Sequence, residues 1–209
     1  AEVIKSMFSL GFGYVEVGTV TPLPQKGNPK PRIFRLEEDK AIINSLGFNN
    51  SGSIKVKKNI SKIKKKFLSN KIIGVNLGKN KNTVNSIDDY IYGMEELGGQ
   101  SSYITINISS PNTEGLRELQ LRGNIENLIK KIMLKRDEIS NINNKPIFIK
   151  ISPDLNDDQL RDIALIALAN NVDGLILTNT TVNRPYNLLS SNKTTKGGLS
   201  GKPLFESSN

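Results

Sequence analysis

The chain has 209 residues, of which 36% are hydrophobic and 6% aromatic, and this length predicts one domain with a substantial core. Its formal net charge is +9, from 29 Lys and Arg against 20 Asp and Glu, and it contains neither Cys nor His. These absences exclude disulfides, thiolate nucleophiles and a Ser-His-Asp triad within this sequence, and we predict no metal site. Any chemistry must use hydroxyls, amides, lysines, carboxylates or a cofactor.

Strand-like and helix-like runs alternate along the chain. Apolar residues at helical spacing predict helices over residues 1–10, 86–97 and 156–170, the last with a capping box, and Asn124 is predicted to cap another. The predicted strands cover residues 14–20, 72–77, 103–109, 146–151 and 174–178. Repeated strand–helix units with apolar strands favour a parallel sheet, either a (β/α)8 barrel or a doubly wound open sheet.

Polar residues follow every predicted strand, and this favours the barrel. A barrel directs all of its strand ends to one mouth, whereas an open sheet binds ligands at one switch point. We therefore predict a (β/α)8 TIM barrel, of which these residues supply about five central strand–helix units. Because five strands are fewer than eight, we expect a single domain over residues 1–209 that is truncated at both ends.

The strand ends are rich in amides and hydroxyls. Asparagine offers donors and an acceptor that suit a flat heterocycle with alternating N–H and C=O groups. Lys150 would stabilise negative charge that develops on a reduced cofactor. The Gly-rich loop over residues 196–203 could offer backbone N–H groups to a phosphate. Any one of these residues is also typical of a cap or a turn, so the argument rests on their joint occurrence at the strand ends.

A basic segment covers residues 55–67 and carries seven Lys opposite an apolar side. The simpler interpretation is a solvated outer helix. A surface for nucleic acid or anionic lipid is the alternative, but the segment has no interleaved aromatic residues for base stacking. We therefore expect no nucleic-acid partner.

The order of several long motifs resembles the class 2, quinone-dependent dihydroorotate dehydrogenases along essentially the whole chain. The motifs are GFGYVEVGTVTPLPQKGNPKPRIFRL, INSLGFNN, GVNLGKNK, INISSPNTEGLREL, IKISPDLN, GLILTNTT and KGGLSGKPL. The resemblance implies a barrel that binds FMN and oxidises dihydroorotate to orotate in pyrimidine biosynthesis. It also implies a membrane quinone as the electron acceptor, and the loop 187–196 matches the family weakly.

The resemblance implies a role for particular residues of this chain. Ser110 is the implied catalytic base, and class 1 relatives carry Cys in this loop. Arg35 is implied at the quinone entrance. The implied flavin contacts are Gly18, Thr19, Asn76, Asn107, Lys150, Thr178, Ser200 and Gly201. The implied contacts to orotate are Asn44, Phe48, Asn107, Asn112, Asn179 and Thr180.

The implied reaction has two halves. Ser110 removes the C5 proton of (S)-dihydroorotate while a hydride passes from C6 to N5 of FMN, and quinone then reoxidises the flavin. We expect peripheral association with a bacterial cytoplasmic membrane or the mitochondrial inner membrane, through segments outside these residues. The family's first strand motif and its last FMN phosphate loops are also outside them, so we do not expect this segment to hold FMN alone. A related flavin enzyme acting on free pyrimidine bases is an alternative, since the Asn set suits any such ring.

Overall fold

The computed structural model describes residues 1–63, 67 and 70–208. Its strands are β1 (Tyr14–Val20), β2 (Ile33–Leu36), β3 (Ala41–Asn44), β4 (Ile72–Leu77), β5 (Tyr103–Asn107), β6 (Ile147–Lys150), β7 (Gly174–Ile176) and β8 (Gly198–Gly201). Its helices are α1 (Ile4–Ser9), α2 (Ser53–Ser61), α3 (Ser86–Leu97), α4 (Arg122–Glu138), α5 (Asp157–Ala169) and α6 (Lys202–Phe205).

A parallel sheet with the order β1-β4-β5-β6-β7 is the centre of the fold. Helices α3, α4 and α5 connect its strands from β4 to β7, as in repeated βαβ units. The predicted strands over residues 14–20 and 72–77 are confirmed to the residue. The other three end one or two residues earlier than predicted, because the chain turns into the loops that carry the polar residues.

The strands alternate between two kinds of side chain, with the period of two that a pleated strand imposes. One set is apolar and packs under the helices, for example Val75, Ile104 and Ile149, all of them 0% exposed. The other set is polar or aromatic and includes Glu16 and Asn76. The apolar set joins the buried faces of α3, α4 and α5 into one core, and this leaves the polar set for the opposite face of the sheet.

A second sheet contradicts one prediction. The Gly-rich residues 198–201, predicted as a loop, form β8, which pairs antiparallel with β3 in a sheet of order β2-β3-β8. Leu36, Ile43 and Leu199 belong to a small separate core beneath this sheet. Glycine gives little strand signal, and the partner strand is distant in sequence, so only the tertiary pairing creates this strand.

Two details of the helices also differ from the predictions. The apolar face predicted for the first helix, with Val3, Ile4, Met7 and Leu10, is confirmed at Ile4, which is buried. It is wrong at Val3 and Leu10, which are 61% and 74% exposed, because α1 is short and buries Phe8 beside Ile4. The predicted cap at Asn124 is wrong as well. The residue at the N-cap of α4 is Leu121, and the Asn124 side chain donates to the Glu118 carbonyl within the first turn.

Other helix predictions are confirmed. Helix α3 has the predicted bounds, and α5 begins at the predicted capping box of Asn156 and Gln159. Helix α2 buries Val56 and Ile60, and residues 64–66 of the predicted basic segment lie outside the described residues. Within the described part of the chain, no helix combines the length and the apolar character that crossing a bilayer requires.

Candidate functional site

A polar cavity of about 390 Å³ opens at the C-terminal ends of the parallel strands. It is lined by residues from β1, β3, β4, β5 and β6 and from the loops that follow β3, β5 and β7. Eleven of the predicted site residues meet there: Gly18, Thr19, Asn44, Phe48, Asn76, Asn107, Ser110, Asn112, Lys150, Asn179 and Thr180. Residues from distant parts of the sequence therefore converge, as expected for parallel strands that end at one mouth.

Four predicted residues lie outside this cavity. Arg35, Ser200 and Gly201 line a separate cavity of about 270 Å³ on the antiparallel sheet. Arg35 and Ser200 both pair with Ile42, so Arg35, Ile42 and Ser200 form one row across β2, β3 and β8. Thr178 follows β7, and its hydroxyl oxygen lies 3.2 Å from the hydroxyl oxygen of Ser208. The predicted set thus divides between two cavities and one loop.

The amides of Asn76 and Asn107 form the floor of the large cavity together with Thr19. The Thr19 hydroxyl donates to Asn76 Oδ1 at 2.7 Å, and Asn107 Nδ2 donates to Thr19 Oγ1 at 3.0 Å and to Asn76 Oδ1 at 3.2 Å. Because both amides are buried, these bonds determine which way each amide faces. The Asn76 oxygen faces Asn107, and its nitrogen faces away from it.

The side chain of Asn107 is hydrogen-bonded inside the protein through both its nitrogen and its oxygen. Its Nδ2 donates to Thr19 Oγ1 and Asn76 Oδ1, which lie only 2.7 Å apart on one side of the nitrogen, and Asn107 Oδ1 accepts from the Ser109 backbone N–H at 3.2 Å and from the Ser109 hydroxyl at 2.8 Å. Ser109 Oγ in turn accepts from Asn179 Nδ2 at 2.9 Å. The network therefore runs from β1 to the loop after β7.

Ser110 follows this network on the loop after β5 and is 6% exposed. Its Oγ accepts the Asn112 backbone N–H at 3.2 Å, which leaves the hydroxyl proton without a protein acceptor in the described part of the chain. Asn112 Nδ2 donates to Asn44 O at 3.0 Å and to Asn44 Oδ1 at 3.2 Å. The hydroxyl of Thr113, on the same loop, is buried and has no partner among the described residues.

Lys150 ends β6 directly opposite Asn107 in the strand register. It is half-buried, and within residues 1–63, 67 and 70–208 its ammonium group makes no ion pair and no hydrogen bond with the protein. Because the Lys150 ammonium lines a polar cavity and has no protein partner in the described residues, it is available to a ligand. Its position suits negative charge that develops on a bound ring.

Glu16 is a cavity residue that the sequence interpretation missed. Its carboxylate accepts from Asn76 Nδ2 at 2.8 Å and from Thr105 Oγ1 at 2.7 Å, so it fixes the orientation of the Asn76 amide. The signal was a charged residue at an inward position of an otherwise apolar strand. Burying a carboxylate is unfavourable unless donors surround it, and such a position in β1 indicated a polar interior.

Tyr90 supports the site from the helix side of the sheet. Its hydroxyl is buried in α3 and donates to the Asn107 carbonyl at 2.9 Å, at the point where β5 ends. Burial, and next the negative charge of Asp89, raises the pKa of Tyr90 above its ordinary value. The hydroxyl therefore stays protonated and can donate throughout the neutral range.

Comparison with known proteins agrees with this geometry. The family model described as dihydroorotate dehydrogenase matches residues 1–208. The chain belongs to the dihydroorotate dehydrogenase family. It is 48% identical over 210 aligned residues to the dihydroorotate dehydrogenase (quinone) of Brucella ovis and, at the same identity, to that of Brucella abortus strain S19. All of the chain is aligned, but it spans only 57% of the length of these relatives.

Solved structures of family members have the same fold. The ligand-free dihydroorotate dehydrogenase of Eimeria tenella superimposes with a TM-score of 0.88 at 45% identity, covering 94% of this chain and 60% of that one. The same enzyme in complex with ferulenol gives 0.88 at 43% identity, covering 98% and 60%. The predicted fold class is thereby confirmed, and the parallel sheet with its helices is part of a (β/α)8 barrel.

Proposed function

We propose that this chain supplies the substrate side of a flavin-dependent dehydrogenase that oxidises dihydroorotate to orotate. The observation that carries the proposal is the large cavity, where Ser110 and the asparagines expected to bind orotate meet at one mouth. The relatives named dihydroorotate dehydrogenase (quinone) support it, because they align with the whole chain. The proposal treats residues 1–209 as part of one barrel domain.

The asparagines suit a ring that carries N–H, C=O and carboxylate groups. Asn44 Nδ2 and Asn112 Oδ1 have no hydrogen-bond partner in the described part of the chain, so they offer one donor side and one acceptor side. Asn179 donates one N–H to Ser109 Oγ and keeps the other. We propose that these three amides hold the dihydroorotate ring in a fixed plane, and that Thr180 contacts the edge of the same ring.

Ser110 is the proposed base for the C5 proton. A serine hydroxyl is a weak base, so its position must compensate through proximity and polar neighbours. The Asn112 N–H bond to Ser110 Oγ orients the hydroxyl. Phe48 lines the same cavity and, with the 6% exposure of Ser110, limits the access of water to the reacting carbon.

The residues around the cavity floor fit a flavin, and we propose FMN. The donor set is the observation that supports the fit, because Lys150 and Asn76 both line the cavity and the Lys150 ammonium has no protein partner in the described residues. They suit the polar pyrimidine edge of the ring system, with Gly18 and Thr19 beside it. When bound, FMN supplies the acceptor for the hydride.

We extend the proposal to quinone as the oxidant and to a membrane-associated enzyme, as the names of the relatives suggest. Arg35 is then proposed at the quinone entrance, and Ser200 and Gly201, which the resemblance implies as flavin contacts, line the same cavity on the antiparallel sheet and not the substrate cavity. Thr178, which follows the end of β7, is proposed as a further flavin contact. A bacterial cytoplasmic membrane and the mitochondrial inner membrane are the two locations considered.

The decisive experiment uses the enzyme at the full length of its relatives. The purified protein should carry a flavin spectrum that dihydroorotate bleaches anaerobically and that a quinone restores. Dihydrouracil, which lacks the carboxylate, should bleach it far more slowly. A colourless protein, or faster bleaching by dihydrouracil, would overturn the proposed activity.

A further inference from the structure

Arg117 connects three loops at the mouth of the sheet. It lies in a short 3-10 helix, Leu116–Gln120, after β5. Its Nε donates to the Ser109 carbonyl at 3.0 Å, and its Nη2 donates to the Thr180 carbonyl at 2.9 Å. Its Nη1 donates to Asp154 Oδ2 at 2.7 Å. One guanidinium therefore holds the loops after β5, β6 and β7 in fixed relation.

Asp154 completes the connection from the loop after β6. Its Oδ2 also accepts the Val182 backbone N–H at 2.9 Å, and its Oδ1 accepts from the Thr181 hydroxyl and, at 3.2 Å, from Asn183 Nδ2. The side chains of Arg117 and Asp154 are only 23% and 12% exposed. Both carboxylate oxygens are thus occupied by the loop that carries the proposed orotate contacts.

The atoms held by this pair are next to the reacting groups. Ser109 precedes Ser110 in the chain, and its hydroxyl accepts from Asn179. Thr180 is itself a lining residue of the cavity. A shift of either loop would move the Ser110 hydroxyl relative to the ring that the asparagines hold.

We propose that Arg117 and Asp154 are a positioning pair that sets the distance between the Ser110 base and the bound ring. The inference rests on the proposed function, because it assigns to Ser110 the removal of the C5 proton. Arginine suits the role because its planar fork directs donors to three acceptors at once, which the compact ammonium of lysine does not reproduce. A misplacement of about 1 Å in such a geometry lowers the rate about 100-fold.

A second arginine–aspartate ion pair provides a control at the opposite end of the same sheet. Arg136 is 16% exposed and donates from Nη1 to Asp173 Oδ2 at 3.0 Å. Asp173 Oδ2 also accepts the backbone N–H of Ile147, at the start of β6. This pair has the same chemistry, although Asp173 is 37% exposed where Asp154 is 12% exposed. Its hydrogen bonds in the described part of the chain reach no residue that lines the cavity.

The test compares Arg117→Lys with Arg136→Lys in the full-length holoenzyme. We expect Arg117→Lys to slow anaerobic flavin reduction by dihydroorotate about 100-fold, while quinone still reoxidises the flavin at the wild-type rate. We expect Arg136→Lys to leave both half-reactions unchanged. If dihydroorotate does not reduce the flavin of the wild-type enzyme, the proposed activity fails. If it reduces the wild type and Arg117→Lys equally fast, only the positioning role fails.

Hydrogen exchange supplies a readout that does not depend on turnover. In Arg117→Lys the amide of Val182, held by Asp154, should exchange faster, and the amide of Ile147 should not. Arg136→Lys should give the reverse pattern. Equal slowing of flavin reduction in both variants, or no slowing in Arg117→Lys, would overturn the positioning role.

A variant that loses its flavin is also informative. Asp154→Asn keeps the size of the side chain but removes its charge and replaces one acceptor oxygen with a donor, so it disrupts the same contacts from the other side of the pair. If it retains flavin, its reduction by dihydroorotate should be slowed in the same direction. Loss of flavin from both Arg117→Lys and Asp154→Asn would overturn the proposal in favour of a purely structural ion pair.

Discussion

The two ends of the parallel sheet are made of different side chains. At the C-terminal end, Asn76, Asn107 and Lys150 line the large cavity. At the N-terminal end, the ring of Tyr103 packs edge to face with those of Tyr14 and Phe148, with centroids 6.5 Å and 5.4 Å apart. The same inward-facing positions of neighbouring strands thus carry amides at one end and aromatic rings at the other.

The difference concerns spare hydrogen-bonding capacity. At the N-terminal end the one unpartnered buried side-chain atom among the described residues is an acceptor, Gln100 Oε1, and the cation there is bonded, since Lys145 Nζ donates to the carbonyls of Gly98, Gly99 and Ser101. At the mouth, the Ser110 hydroxyl proton and the Lys150 ammonium have no protein partner in the part of the chain that the structure describes. Closed packing serves stability, whereas unused donors serve a ligand.

Removing the proposed base should have the largest effect. Ser110→Ala in the full-length enzyme should slow flavin reduction by dihydroorotate by a factor of about 10²–10⁴, because the C5 proton then has no positioned acceptor. The flavin spectrum should be unchanged, and stopped-flow absorbance measures the rate. Ser9→Ala, at an exposed serine of α1, is the control. A wild-type rate in Ser110→Ala would remove Ser110 as the base.

The next effect concerns stability at the polar end. Glu16→Ala should lower the free energy of unfolding by about 1–3 kcal/mol, because Asn76 Nδ2 and Thr105 Oγ1 lose their buried acceptor. Urea denaturation measures the change. Glu37→Ala, at an exposed position of the β2–β3 turn, should be nearly neutral. Equal losses of unfolding free energy in the two variants would mean that the hydrogen bonds of Glu16 at the cavity floor do not stabilise the fold.

Tyr90 gives a smaller effect with a defined pH dependence. Burial raises the pKa of Tyr90 in the folded state, so its contribution to stability is fully present below the unfolded-state pKa of about 10 and is lost as the pH rises above it. Tyr90→Phe should lower the free energy of unfolding by about 1 kcal/mol at pH 8. It should also make stability fall less steeply between pH 9 and 11, a range set by the same unfolded-state pKa of about 10. Urea denaturation at several pH values checks both, and an unchanged slope would contradict the assignment.

The smallest effect is expected at the aromatic end. Burial, and next the nearby Glu16 carboxylate, raises the pKa of Tyr103, so its hydroxyl is neutral near pH 7. Tyr103→Phe keeps both ring contacts and should change stability by less than about 1 kcal/mol. Flavin reduction should match the wild type. A large loss of activity would show that the two ends are not independent.

Much of this arrangement was readable from local sequence. Alternating residues placed strands at 14–20 and 72–77, and a capping box placed the start of α5, because periodicity and capping depend on near neighbours. The polar residues after each strand likewise identified the mouth. The wrong cap at Asn124 shows the limit of such patterns, since a favourable cap residue was used inside the helix instead.

By itself, the sequence determined the five strands of the parallel sheet, their amide-rich ends and the family motifs. Only the tertiary structure decided which of these residues meet. Glu16 and Thr105 are 89 residues apart, and Arg117 and Asp154 are 37 apart, yet each pair is hydrogen-bonded. It also separated Arg35, Ser200 and Gly201 from the substrate cavity. The reason is physical: propensity and periodicity act between near neighbours, whereas these contacts exist only after parallel strands align their ends.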